Sequence, residues 1–141
     1  MKTDDPDNIS ELLHEIVMRE NEFIHSRLSD VGLNVQQARL LKYVDEHPGT
    51  IQKNVASFLN RQNATVTNML KSLTSQDYLV RKIPADNERQ KQLFLKPKGH
   101  AVIKTINQIF AELETTVKSA VDEDRKTILT DSLGKIKNKL Q

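Results

Sequence analysis

The chain contains no cysteine, which excludes disulfide scaffolds, cysteine zinc sites and thiol redox sensing together. Tryptophan is also missing, and two tyrosines and four phenylalanines are all the aromatics there are. No apolar run approaches the length needed to cross a membrane. The opening MKTDDPDNIS is too acidic and polar to read as a secretory signal, so we expect a cytoplasmic protein without a membrane partner. There is no HExxH, no phosphate-cradling glycine loop and no serine on a recognisable elbow. Asp122, Glu123 and Asp124 sit at a predicted helix start, where acidic residues complement the helix dipole, so they need no catalytic explanation. His14 and His25 share a helix face but lie about 16 Å apart along it, too far for one metal within a chain. We therefore expect no enzyme, no cofactor and no metal site.

What is present fits a soluble globular chain. Of 141 residues, 37% are hydrophobic and 28% charged, enough for one domain with a real core and an appended oligomerisation element. The overall charge of +2 hides a segregation. Residues 1–49 carry five Lys/Arg and ten Asp/Glu, a net −5. Residues 50–100 carry nine and three, a net +6, and residues 101–141 carry seven and six, a net +1. Basic charge confined to one module suits a polyanionic partner, although a lysine-rich solvated surface would look the same on charge alone.

The four glycines and four prolines fall mostly at joints. Gly32, Pro48–Gly49, Pro84 and Pro97–Gly99 divide the chain into helical pieces and one extended region. A first helix is predicted from about Ile9 to Leu28, with Asn8 as cap and Glu11 three residues on. A second begins after Asn34, with Gln37 in the matching position, turns Ala38, Leu41 and Val44 inward, and stops at Pro48–Gly49. A short third helix follows Thr50 and buries Ile51, Val55, Phe58 and Leu59. After the polar break Asn60–Asn63, a fourth runs from about Ala64 to Gln76. Its Val66, Met69, Leu70 and Leu73 fall on one narrow face. Residues 79–83 and 91–95 read as two strands of a hairpin. A helix starting at Pro97 buries Val102, Ile106, Ile109, Phe110, Leu113 and Val117. A last helix, capped by Asp122, carries Leu129, Leu133, Ile136 and Leu140.

Two short helices, a tight break and a basic hairpin make a winged helix-turn-helix, so the fold expected is mainly α with a small β-wing. The second helix of such a pair fits the major groove of double-stranded DNA. Because its apolar edge anchors it, the opposite edge is the one left to read bases: Gln62, Asn63, Thr65, Thr67 and Asn68. Gln52, Lys53, Arg61, Lys71, Lys82 and Lys91 are placed to meet the phosphate backbone. A polar helix face is also what any helical domain shows to water. The basic module and the hairpin are what favour DNA. A winged-helix module that binds protein without reading DNA is the alternative.

The segment TIQKNVASFLNRQNATVTNMLKSLTSQDYLVRKIPADNERQKQLFLKPKG, residues 50–99, resembles the core of the multiple antibiotic resistance regulator (MarR) family. ATVTNMLKSL (64–73) is similar to that family's recognition helix, and LFLKPKG (93–99) to its return from the wing. The resemblance implies a homodimer built from the terminal helices, two recognition helices on a palindromic operator, and a repressor released by a small effector. It also implies that Arg89 is the wing-tip arginine, which would suit the minor groove. Three positions depart from the family pattern. Asn87 stands where an aspartate usually braces the wing, Asp77 where a glycine follows the recognition helix, and Lys96 where a threonine caps the next helix.

The dimer also has a physical argument, since one two-layer helical core cannot cover every apolar stripe at both ends of the chain. Ile9, Leu12, Leu13 and Ile16, with Leu129, Leu133, Ile136 and Leu140, are its expected residues; the terminal helices packing on one another within the chain is the other possibility. The division expected is 1–33 and 100–141 for dimerisation and 34–99 for DNA. In the resembling family a cleft between these lobes takes an aromatic or lipophilic effector, and Phe23, Tyr43 and Phe110 are the residues suggested for it.

Overall fold

Asn8 opens α1 (Ile9–Leu28) by accepting the Glu11 N–H at 3.1 Å, which satisfies one of the N-terminal donors a helix cannot pair internally. This computed structural model describes residues 7–85 and 90–141. The sequence-based assignments to Asn87 and Arg89 lie outside the described residues. A 3₁₀ turn over Ser29–Val31 ends at Gly32, in the left-handed region at φ 74°. Asn34 then starts α2 (Val35–Glu46) with a reciprocal capping box: its Oδ1 accepts the Gln37 N–H at 2.8 Å, and Gln37 Oε1 accepts the Asn34 N–H at 3.0 Å.

Thr50–Ile51 form a two-residue strand, β1, which flows into α3 (Gln52–Leu59) and then α4 (Asn63–Ser75). The wing follows as β2 (Leu79–Lys82) and β3 (Gln92–Leu95). All three strands pair antiparallel in the order β1-β3-β2, with Thr50 opposite Leu93 and Val80 opposite Phe94. The sequence pattern assigns Thr50 to a helix start and gives no sign of β1. Two residues carry no alternation, and their pairing with β3 is set some forty residues away in the chain. The long α5 (Pro97–Ser119) spans about 34 Å. A 3₁₀ turn over Glu123–Arg125 leads into α6 (Lys126–Lys139). Asp122 does not cap α6 as expected. It precedes that turn and makes no side-chain capping bond. Lys126 donates to Glu123 at 2.6 Å, which holds the Glu123 carboxyl below its ordinary range.

The core lies between α1, α2 and α5 on one side and α3, α4 and the sheet on the other. Leu28, Leu40, Leu41, Val55, Leu70, Leu73, Leu79, Leu93 and Ile106 are fully buried within it. Two expected core residues are exposed. Phe58 is 44% exposed and stacks on Tyr43 at 4.7 Å between ring centroids. Val117 is 40% exposed, because α5 continues beyond the core it packs on. Gly99, in the first turn of α5, is buried where any Cβ would run into the Tyr78 carbonyl, so only glycine fits without displacing the wing.

The two ends of the chain behave differently from the middle. α6 has no buried residue at all. Leu140 is 81% exposed, Ile128 68% and Ile9 63%. Leu12, Ile16, Leu129 and Leu133 are exposed too, while Leu13 and Ile136 are half-buried.

Candidate nucleic-acid interface

The recognition candidate α4 is held by its apolar edge. Val66, Leu70 and Leu73 are fully buried and Met69 half-buried. The opposite edge faces out: Gln62, Asn63, Thr65, Asn68 and Lys71 are exposed and Thr67 is half-buried. The helix begins one residue earlier than periodicity suggests, so Asn63 is its first residue and Gln62 its cap position. The break before it is short because Asn60 adopts the left-handed conformation at φ 52°, ending α3 and turning the chain at once.

Exposed cations lie on the elements before and after this helix. Lys53 and Arg61 are exposed on either side of a hollow of about 480 Å³, shared with Ala56, Ser57, Asn60 and Asn63. Lys82 and Lys91 are exposed at the far end of β2 and before β3, and the Lys82 ammonium lies 5.2 Å from the Phe94 ring centroid. Gln52 is placed differently from the cations with which the sequence groups it. It is half-buried, and its Nε2 donates to Asn63 Oδ1 at 2.8 Å and to Thr67 Oγ1 at 2.7 Å, lacing α3 to the start of α4. Sequence spacing carries no signal for this contact, because Gln52 and Thr67 meet only once the two helices are packed.

At the other end of α4 two departures from the family pattern meet. Asp77 takes φ 64°, and the bonds from Asp77 N–H to Thr74 and from Tyr78 N–H to Leu73 form a Schellman ending. Its carboxylate receives the Lys96 ammonium at 3.1 Å. Lys96 makes no capping bond to α5; its charge sits instead on the residue whose left-handed backbone favours glycine. Lys98 adds a bond to the Gln76 carbonyl at 2.8 Å, fastening the end of α4 to the start of α5.

The three aromatics suggested for an effector are engaged separately. Phe23 lies under the Arg27 guanidinium, and Tyr43 stacks between His47 and Phe58. Phe110 lines a hollow of about 480 Å³ with Lys42, Asn107 and Leu113. A larger hollow, about 620 Å³, opens between α1, the start of α2 and α4, with His25, Gln36, Arg61 and Met69 in its walls. Gln36 Oε1 is buried without a hydrogen-bond partner among the described residues. Among the described residues no group of three His, Cys, Asp or Glu side chains could hold a metal, and no helix is long and apolar enough to cross a membrane.

Residues 33–91 match the model of the MarR family. Nearly the whole chain also superposes on MepR of Staphylococcus aureus solved in complex with DNA. The identity is 25%, 94% of this chain and 98% of that one are covered, and the TM-score is 0.87. The central segment of the chain, residues 33–91, is thus similar to the MarR family. A second MepR structure, described as a transcription regulator of the multidrug efflux pump MepA, is 26% identical. It covers 95% of this chain and 99% of that chain, with a TM-score of 0.76. The transcriptional regulator SlyA, 21% identical over 94% of each chain with a TM-score of 0.85, shares the fold of this chain. No curated protein matches it.

Proposed function

We propose that this chain is a sequence-specific DNA-binding transcription regulator of the MarR family, a cytoplasmic homodimer that represses from a palindromic operator and is released by a small aromatic or lipophilic effector. The observation that carries the reading is α4: its apolar edge is spent on the core while its Asn- and Thr-bearing edge stays open. The exposed Lys53, Arg61, Lys71, Lys82 and Lys91 around it supply the charge that phosphate binding needs. Gln62, Asn63, Thr65, Thr67 and Asn68 form the base-facing edge in this reading, with Arg89 at the wing tip. MepR, similar in fold along its whole length, was solved with DNA bound. No catalytic role is part of the reading.

The apolar residues left open on α1 and α6 support the dimer, and with it the division into a central reading module and two terminal dimerisation segments. A twofold axis sets two α4 helices about 34 Å apart, one turn of B-DNA. An effector acts by binding better to a dimer whose α4 spacing no longer fits.

Selection of bound DNA from a random pool tests this directly. The expected product is an inverted repeat. On that repeat, log affinity falls with log salt with a slope of about −5 to −8, as for roughly six to nine phosphates neutralised per dimer. A pool with no enriched sequence, or a flat salt response, overturns the reading.

A further inference from the structure

The Gln52 amide nitrogen faces three oxygens: Asn63 Oδ1 at 2.8 Å, Thr67 Oγ1 at 2.7 Å and the Asn63 backbone oxygen at 3.2 Å. The two hydrogens of that nitrogen go to the two shorter contacts, and the third contact favours a nitrogen over an oxygen at that point. An amide oxygen there would set its lone pairs against those of the carbonyl, whereas the nitrogen does not, and the Asn63 atom 2.8 Å from that nitrogen is then its oxygen. The Thr67 hydroxyl donates to the same Asn63 carbonyl at 3.0 Å while accepting from Gln52. Its donor is therefore used within the protein. What is left on the exposed side is the Asn63 Nδ2 amide, unpartnered among the described residues, and the Thr67 methyl group.

Asparagine usually reads adenine by using both ends of its amide, accepting from N6 and donating to N7. Here the accepting end is turned inward. We propose that Gln52 is a positioning residue that makes Asn63 a donor-only reader, selecting guanine, whose groove edge offers two adjacent acceptors, over adenine and cytosine. The same geometry leaves Thr67 a contact through its methyl alone. This inference rests on the DNA-binding reading above and adds the base class to it.

The test is selection from a random DNA pool with the full-length chain and two Gln52 variants, each first shown to be folded by circular dichroism and a cooperative melt. In Gln52→Glu the partner becomes a pure acceptor, so Asn63 turns its Nδ2 inward and its Oδ1 out. The expected result is a switch at one symmetry-related position of the motif, from guanine to a base that carries an amino donor, adenine or cytosine. Gln52→Ala frees the Asn63 amide to rotate, and roughly tenfold of guanine discrimination should be lost at that position alone. Thr67→Val, which keeps the methyl and removes the hydroxyl, should retain guanine there.

A wild-type palindrome whose base preferences are unchanged in both Gln52 variants overturns the inference and leaves DNA binding standing. So does a uniform loss of affinity without a change of preferred base, which would place Asn63 on a phosphate. A wild-type chain that enriches no sequence overturns the DNA-binding reading itself, and this inference with it.

Discussion

α4 and α6 are both amphipathic, and they meet opposite fates. α4 sinks Val66, Leu70 and Leu73 completely into its own chain. α6 sinks nothing, leaving Ile128, Leu129, Leu133 and Leu140 open. Since apolar burial is the main source of helix stability in proteins, a helix with no buried residue needs cover from elsewhere. For α4 the informative side is the polar one that remains. For α6 it is the apolar one, which a second copy of the chain would cover together with the exposed start of α1.

Four measurements would break or sharpen that contrast. The largest effect is expected from Leu133→Asp, because twofold symmetry counts the charge twice. Dimerisation should weaken by on the order of 5 kcal/mol, and sedimentation equilibrium should show the mass falling toward the 16.1 kDa of one chain. If α6 instead folds back on its own chain, the mass will stay put while the melting temperature drops. Leu70→Ala is the matching change on α4. It should cost about 3 kcal/mol of unfolding free energy through transfer and cavity effects, read from urea denaturation, with oligomeric state intact.

Third in size is Arg61→Ala. Operator affinity should fall roughly tenfold, about equally for every sequence, and the salt slope should shrink by about 2 per dimer. A changed base preference would move Arg61 from the backbone to the base edges. The smallest effect is expected at the end of α4. Asp77→Gly relieves a left-handed aspartate but releases Lys96, so the net change should lie within about 1 kcal/mol. Lys96→Ala should then matter less in the Asp77→Gly background than in the native chain, a coupling that a double-mutant cycle measures.

Much of this contrast is legible in the order of residues alone. Helical spacing places Val66, Leu70 and Leu73 on one edge of α4, and the caps at Asn8 and Asn34 mark two helix starts within a residue. These signals are local, so the sequence carries them whole. The features that escape it depend on distant partners. β1 exists only against Leu93 and Gln92, and Phe58 leaves the core for a stack with Tyr43. Gln52 reads like a surface amide until α3 and α4 are brought together. The Asp77 and Lys96 departures look in sequence like two separate losses. Side by side in the fold, the two residues form an exposed ion pair, although α5 still lacks its side-chain cap.

Gly99 carries a mechanical corollary. The Tyr78 carbonyl fills the space a Cβ of Gly99 would need and Lys98 is bonded to the carbonyl that ends α4, so the long arm α5 and the reading head are closely joined. In the dimer proposed above, a tilt of either arm would then change the separation of the two heads, so a ligand wedged far from the DNA could act by leverage rather than by contact.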